Sequence, residues 1–484
     1  SLICFYSDKP PITNRKKNKK TFQQFHLLLK EILNDDALIQ EWDAVFGNRF
    51  INNDAFYKLL FAALKDGKLS LVQVSQLLLL RAKEYDKIGI YYDASASAYQ
   101  IMGMLNLDVS LCELTNVTSI EDSVNKQDIY LFFKTELVNL SDYKNLPFLL
   151  DEDENMRKLI VKCLDNKIDR QLIKAAVMPL IYGKTAYGFS EDLQDFFAKN
   201  YLYLSNSALL KLANFIINKL KTHTTLNKVN DFMALIRNFA KMLFDLDNVV
   251  IVGPYNECTV GYNKTITDKL SVYAHKKDIG VQRQKIHLNS LKKDNAGVPI
   301  KSKNKTVNAF VANFVHFIDG QICQFIIEQF VNLEYTDIGT IHDCFYIKPE
   351  HKKELQCIYK AGLVMGIFIY ELNLAIWIHN FMNHYKIPVT QELLDYIHRL
   401  ENTILNLRKE RRNYQMSVSD FNRYPILNNE ILIAAIQLIQ QNVNSKTKAS
   451  LQTILDFLTQ RNLDSYKIIL SKLTGGSALF PDNE

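Results

Sequence analysis

The sequence has few of the residues that build disulfide frameworks, zinc sites or membrane spans. Its seven Cys include no Cys-x-x-Cys pair and no Cys/His group with zinc spacing, which argues against a disulfide scaffold and a structural zinc site. The longest apolar run, "AGLVMGIFIY" from Ala361 to Tyr370, is too short to cross a bilayer. We therefore expect a protein of a reducing compartment that has no membrane partner.

An excess of charge of one sign is also missing. The net charge is +6, from 58 Lys and Arg against 52 Asp and Glu, which permits a polyanionic partner without requiring one. The densest basic run, from Arg15 to Lys20, is more typical of a solvated tail than of a phosphate contact. A hydrophobic fraction of 48% over 484 residues indicates a globular protein with a sizeable core.

Apolar residues recur at helical spacing in most segments, as in "FHLLLKEIL" and "EILIAAIQLIQQ". Strand-like runs are few: "KIGIYYD", which ends at Asp93; "TDIGTI" and "CFYIKP", on either side of His342 and Asp343; and "NVVIVG", near Asn248. The basic, turn-rich segment from Lys276 to Asn308 is predicted to be a flexible loop. We expect a mostly helical protein with one small sheet and a helical C-terminal appendage.

The segment "RQLIKAAVMPLIYG" combines two cations with an aromatic residue at helical spacing. Each step from Arg170 to Lys174, Met178 and Tyr182 drifts by about 40° around a helix, so the four share one face. Such a face suits a nucleoside triphosphate, with the cations toward the phosphates and the Tyr toward the base or sugar. Taken alone, the pattern is more often a solvated basic face beside a core Tyr.

Two Asp residues are placed where a strand-like run ends. Asp93 follows "KIGIYY" and precedes a helical pattern, where an isolated Asp is usually a helix N-cap. Asp343 lies at the predicted tip of a hairpin, far later in the chain. If the two carboxylates meet, they can share Mg²⁺ ions beside a triphosphate, which would make a nucleotidyl-transfer site.

The sequences and the order of these segments resemble those of the single-subunit, bacteriophage-type RNA polymerases. "YYDASASAYQ" is similar to their first palm motif, "RQLIKAAVMPLIYG" to their fingers helix and "IHDCF" to their palm hairpin. "KQDIY" and "ANFVHFIDG" fit between them in the family's order. The resemblance implies an α+β, helix-rich right-hand fold, with palm and fingers and a small antiparallel palm sheet.

The resemblance also implies the reaction and its metal. Asp93 and Asp343 would bind Mg²⁺, the implied cofactor, with the backbone carbonyl of Ala94 as a further ligand. The RNA 3′-hydroxyl would attack the α-phosphate of a ribonucleoside triphosphate, on a DNA template and with an RNA product. A transcription factor is a further possible partner that the sequence does not specify.

The nucleotide would be held by residues of the fingers and by one His. Arg170 and Lys174 would face the triphosphate, and Lys174 would also give a proton to the leaving pyrophosphate. Tyr182 would close on the nucleotide, and His316 would reach its ribose 2′-hydroxyl.

RNA synthesis is favoured over DNA synthesis at two positions. Family A DNA polymerases resemble this chain but carry a Glu five residues after the first Asp, where this chain has Ala98, which leaves room for a ribose. Four residues after the Lys they carry an aromatic residue, where this chain has Met178. Two further hypotheses stay open: a catalytically dead nucleic-acid-binding remnant, and a helical scaffold in which the carboxylates lie far apart.

The chain departs from the family pattern at a few places. Pro179 replaces an expected Thr and is predicted to kink the fingers helix, while Ile101 and Cys344 replace an expected His and Ser. The sequence of the first palm motif, "DASASAYQ", is most similar to that of polymerases of linear mitochondrial plasmids, so we expect a mitochondrial location. No D-x2-G-R motif precedes Asp93 and the chain starts without Met, so we expect an N-terminally truncated piece.

The resemblance implies four regions along the chain. Residues 1–124 would form the first palm portion with its preceding helices, and residues 125–316 the fingers. Residues 317–414 would form the second palm portion, and residues 415–484 a helical C-terminal extension.

Overall fold

The computed structural model describes residues 90–118, 127–138, 158, 170–199, 204–276, 280–335, 337–409, 427–473 and 479–481. The basic run from Arg15 to Lys20 and the helices predicted before Asp93 lie outside these residues. The chain divides into two compact units. The first takes in the described parts of Ser1–Ser95, Phe330–Ile358 and Ala478–Glu484, and the second those of Ala96–Gln329 and Tyr359–Ser477.

The first unit contains a four-stranded antiparallel sheet. Its strands are β1 (Ile90–Ala94), β6 (Gly339–Ile341), β7 (Cys344–Ile347) and β8 (Leu479–Pro481), in the order β6-β7-β1-β8. The part of the predicted strand "KIGIYYD" that the structure describes, from Ile90, lies in β1, and the hairpin around His342 and Asp343 is present.

The alternation of side chains explains this pairing. Tyr92 and Phe345 face each other in the register of β1 and β7, and both are buried. On the other face the rings of Tyr91 and Tyr346 contact each other with centroids 4.9 Å apart. An aromatic cross-strand pair of this kind contributes about 0.5–1.5 kcal/mol beyond its buried area.

The second unit is mostly helical. The helices that lie wholly or mostly in it are α1 (Ser97–Leu105), α2 (Val109–Leu114), α3 (Ile129–Val138), α4 (Arg170–Val177), α5 (Ala186–Lys199), α6 (Asn206–Lys221), α7 (Asn227–Asp245), α8 (Lys303–Asn332), α9 (Lys352–His384), α10 (Gln391–Lys409), α11 (Asn429–Gln441), α12 (Ser445–Gln460) and α13 (Asp464–Lys472). The expected α+β, helix-rich class is confirmed.

An aromatic cluster marks the core of the second unit. The ring of Trp377 on α9 lies 5.2 Å from Phe239 and 5.7 Å from both Phe310 and Phe314. Two described helices, α8 and α9, are long and apolar enough to cross a membrane by length and composition. The apolar window of α9 is 94% buried inside the protein, as expected of a core helix.

The expectation of one small sheet is wrong, because two two-stranded sheets lie in the second unit. The predicted strand near Asn248 is β2 (Val250–Val252), which pairs with β3 (Glu257–Thr259). The predicted loop from Lys276 to Asn308 is also wrong, since it contains β5 (Gly280–Leu291), which pairs with β4 (Thr265–Lys276) along its whole length. The same segment also contains the start of α8.

The C-terminal segment is not an appendage. Arg461, which follows α12, is buried, forms an ion pair with Glu371 of α9 and donates to the C=O of Leu105 at 3.2 Å. Lys360 of α9 donates to the C=O of Leu473 at 2.6 Å. The segment is helical as expected, but it also contributes strand β8 to the first unit's sheet. The predicted boundaries of palm and fingers stay predictions.

Candidate active site

Asp93 and Asp343 lie side by side in the first unit's sheet. Asp93 is opposite Cys344 in the register of β1 and β7, and the N–H of Ala94 donates to the C=O of Asp343 at 3.3 Å. Main-chain pairing therefore brings together the main chains of two Asp residues that are far apart in the sequence.

The tip of the β6–β7 hairpin determines where Asp343 lies. Ile341 and Cys344 are paired, so His342 and Asp343 form the turn between them. His342 has a φ of 56°, in the left-handed region, which His adopts more readily than most residues. The hydroxyl of Thr340 donates to the C=O of His342 at 3.0 Å and supports the turn.

The donor set at this sheet end fits a magnesium ion. Successive side chains of a strand point to opposite faces, so Asp93 lies on the face opposite the buried Tyr92. Asp93 and Asp343 are both half-buried, so part of each residue is accessible. Mg²⁺ is usually held by one or two carboxylates together with substrate phosphates and water, and two carboxylates with the carbonyl of Ala94 match that preference.

The two predicted phosphate-binding cations lie in the second unit, on the exposed face of α4. Arg170 forms an ion pair with Asp128, and its guanidinium lies 5.1 Å from the ring centre of Tyr130. The ammonium of Lys174 lies 5.6 Å from the centre of the same ring. The other carboxylate oxygen of Asp128 accepts from the N–H groups of Tyr130 and Leu131, at 2.9 and 3.1 Å. Asp128 thus caps α3 and orients Arg170 at the same time.

The predicted helical face from Arg170 to Tyr182 is wrong beyond Val177. The α-helix ends there, and a 3₁₀ turn, Met178–Leu180, follows. The reason is Pro179, which has no N–H for the next α-helical hydrogen bond, so the expected kink is instead the end of the helix. Tyr182 lies in the following turn, where Gly183 has a φ of 80°.

Tyr182 and His316 are in direct contact. Their rings are stacked, with centroids 4.4 Å apart and an angle of 28° between the planes. His316 lies on α8 and is exposed, whereas Tyr182 is half-buried. The structure thus places next to each other the two residues that the sequence assigns to the closing contact and to the ribose.

Ala98 lies on α1 and is buried. Its neighbour Tyr99 is buried too and donates to the C=O of Val177, the last residue of α4, at 2.6 Å. Burial raises the pKa of Tyr99 well above its usual range, and the neighbouring Tyr130 and Tyr182 raise it further. Tyr99 therefore stays a protonated donor that ties α1 to the end of α4.

Three functional neighbours were not predicted from the sequence. Asp128 and Tyr130 lie in "KQDIY", a stretch noted for its family resemblance but given no contact, and Tyr99 lies in the first palm motif. An Asp two residues before a Tyr at a helix start is a capping signal, and it could have marked Asp128. The sequence contains no local signal that brings Tyr130 to Arg170.

Comparison with known families covers the part of the chain that contains these residues. The family model described as DNA-dependent RNA polymerase matches residues 81–459, which include every site residue named above. The chain belongs to the DNA-dependent RNA polymerase family. Within that family, the expected likeness to the single-subunit, phage-type polymerases is confirmed.

Relatives of this polymerase family member occur in plants and fungi. A protein from Zea mays named "Probable DNA-directed RNA polymerase" is 25% identical over 295 residues, which is 57% of this chain and 25% of the relative. Proteins of the same name from Neurospora crassa and Gelasinospora are 25% and 24% identical, over 53% and 54% of this chain and 29% and 31% of their own lengths. The chain thus spans about a quarter to a third of the length of these relatives.

Proposed function

We propose that this polymerase family member catalyses DNA-templated synthesis of RNA from ribonucleoside triphosphates. The register that puts the main chain of Asp93 beside that of Asp343 supports the proposal, because the two Asp residues belong to the two palm motifs that would bind the metal. The RNA 3′-hydroxyl would attack the α-phosphate, and pyrophosphate would leave.

Mg²⁺ is the proposed cofactor, held by Asp93, Asp343 and the carbonyl of Ala94. When bound, it would lower the charge on the phosphates and favour ionisation of the attacking hydroxyl. The chain's own contribution at this end would be to hold one Asp on β1 and the other in the hairpin turn that pairs with it, so that little rearrangement would be needed on binding.

The second unit would supply the contacts to the nucleotide. Arg170, oriented by Asp128, and Lys174, above the ring of Tyr130, would bind the triphosphate oxygens through charge-assisted hydrogen bonds. Lys174 would also donate a proton to the pyrophosphate. Tyr182 would close on the sugar and base, and its stacking partner His316 would donate to or accept from the ribose 2′-hydroxyl.

Primer extension tests the reaction. An RNA primer annealed to a short DNA template is incubated with Mg²⁺ and either ribo- or deoxyribonucleotides, with the natural chain, Asp343→Asn and Asp464→Asn. The carboxylate of Asp464 is 85% exposed, which makes its variant a matched control for loss of one charge. Ribonucleotide extension that disappears only in Asp343→Asn supports the proposal. A folded protein that extends neither nucleotide set contradicts it for this chain.

A second experiment separates RNA synthesis from DNA synthesis. Ala98→Glu introduces a carboxylate where a ribose 2′-hydroxyl would lie, so we expect the ratio of ribo- to deoxyribonucleotide use to fall at least about a hundredfold. Ala98→Gln has nearly the same volume without the charge and controls for the packing change at this buried position. An unchanged ratio would contradict the placement of Ala98 beside the ribose and so the argument that favours RNA over DNA synthesis.

The remaining expectations also stay predictions. They are a mitochondrial location, an origin in a linear plasmid and a further transcription factor as partner.

A further inference from the structure

Pro179 removes one hydrogen bond from the end of α4. In a regular α-helix the N–H of residue 179 would donate to the C=O of residue 175. Because Pro has no N–H, the C=O of Ala175 needs another donor, and Ala175 is half-buried. A buried polar group that is left without a partner destabilises the fold.

The side chain of Lys184 supplies that donor. Its ammonium donates to the C=O of Ala175 at 3.1 Å and forms an ion pair with Asp192 of α5. The main-chain N–H of Lys184 donates to the C=O of Pro179 at 3.0 Å. Lys184 is therefore attached to the broken helix end by both its main chain and its side chain, and its side chain is only 18% exposed.

The turn that Lys184 closes carries Tyr182. The N–H of Tyr182 donates to the C=O of Pro179 at 3.1 Å, and that of Gly183 to the C=O of Leu180 at 3.0 Å. Gly183 has the left-handed conformation that the turn needs, and the N–H of Lys184 closes it on Pro179. The direction in which Tyr182 leaves the helix end thus depends on what fixes residue 184.

We propose that Lys184 is a positioning residue for Tyr182. Its ammonium replaces the hydrogen bond that Pro179 removes, and together with Asp192 it fixes the turn between α4 and α5. This inference rests on the proposed function, in which Tyr182 contacts the incoming nucleotide. Lys184 itself is not assigned a contact to the nucleotide, because its ammonium is already engaged by Ala175 and Asp192.

A double-mutant cycle tests the replacement. Four proteins are compared: the natural chain, Lys184→Met, Pro179→Ala and the double variant. Met keeps most of the aliphatic stem of Lys but cannot donate, and Pro179→Ala restores the missing N–H. We expect Lys184→Met to raise the KM for ribonucleotides about tenfold with Pro179 present, and by less than about threefold in the Pro179→Ala background, while the KM for the primer–template stays constant.

Amide hydrogen exchange of the Tyr182 turn, measured without nucleotide, provides a readout that needs no polymerase activity. Lys184→Met is expected to speed exchange of the turn amides at least about tenfold, and Pro179→Ala to remove most of that effect. Lys184→Arg keeps a donor and an ion-pair partner for Asp192, so it controls for folding and is expected to behave like the natural chain.

Each outcome has a definite meaning. Equal effects of Lys184→Met in both backgrounds would overturn the replacement of the hydrogen bond. Coupled exchange with an unchanged KM would overturn the positioning role. If exchange is coupled but the natural chain extends no primer, the proposed function fails while the hydrogen-bond replacement is upheld, so the two failures are distinguishable.

Discussion

In the first unit Asp93 and Asp343 are placed by main-chain hydrogen bonds of the sheet and of the β6–β7 hairpin, whereas in the second unit Arg170 is placed by the side chain of Asp128. Main-chain pairing depends little on which side chains the strands carry, as long as their alternation is kept. The position of a cation that is held by other side chains depends on the identity of each of those side chains. We therefore predict that substitutions of neighbouring residues disturb the position of Arg170 more than the positions of Asp93 and Asp343.

The largest expected effect is on activity, when one of the two Asp residues of the first unit is substituted. Asp93→Asn removes a charge but leaves the strand pairing intact, so we expect ribonucleotide extension to fall at least about a thousandfold. The thermal midpoint should change by only a few degrees, measured by circular dichroism. A variant that keeps more than about a tenth of the activity would break the comparison, since the carboxylate pair would then not be needed.

The next largest effect is expected on stability, because the second unit depends on an ion pair between two buried side chains. Arg461→Met leaves Glu371 buried without its partner and removes the donor to Leu105 at the end of α1. We expect the free energy of unfolding to fall by about 3–5 kcal/mol in urea titrations.

The matched control for Arg461→Met is Arg408→Met. Arg408 pairs with Glu328 through two hydrogen bonds and donates to the C=O of Pro254 at 3.1 Å, but the side chains of Arg408 and Glu328 are 24% and 28% exposed. We therefore expect a smaller loss, of about 1–2 kcal/mol. Equal losses for the two Arg variants would mean that burial does not determine the cost of breaking these pairs.

A smaller effect is expected for nucleotide binding when the partner of Arg170 is changed. Asp128→Asn keeps a capping oxygen for α3 but loses the charge that orients Arg170. We expect the KM for ribonucleotides to rise about fivefold with little change in kcat, in steady-state extension assays. Asp464→Asn serves again as the control for charge, and a KM equal to that of the natural chain would assign Asp128 to capping alone.

The smallest effect on activity is expected for a substitution of the residue that follows Asp343. Cys344→Ser changes a side chain next to the carboxylate and leaves its main-chain bonds unchanged, so the extension rate should stay within about twofold. A large loss would show that side-chain packing, and not strand pairing, sets the position of Asp343.

The sequence predicted the parts of the site that have local signals. A β-type run ends at Asp93, and two others flank His342 and Asp343, so the strands and the hairpin were predictable from alternation alone. Which strands pair is a long-range property, and it came from the family resemblance instead. Pro179 predicts a break in the helix, but local steric rules do not decide between a helix that bends and one that ends.

The errors have a common physical cause. The segment containing β5 was predicted as a loop because it is polar, and its described apolar side chains near the open end of the β4–β5 pair, such as Ile266 and Leu288, are exposed. A polar strand of this kind gives little apolar alternation to detect. In the same way, a lone Arg461 in the sequence gives no sign of a buried Glu371 on a distant helix.

The strand β8 has a consequence for how the first unit's sheet meets other molecules. It covers the side of β1 that would otherwise present unpaired N–H and C=O groups next to Asp93. It is only three residues long and ends in Pro481, which cannot donate to a further strand. Shortness and a proline are two of the means by which sheet margins avoid intermolecular pairing, so a chain that lacked Leu479–Pro481 would turn the strand of Asp93 into a template for self-association.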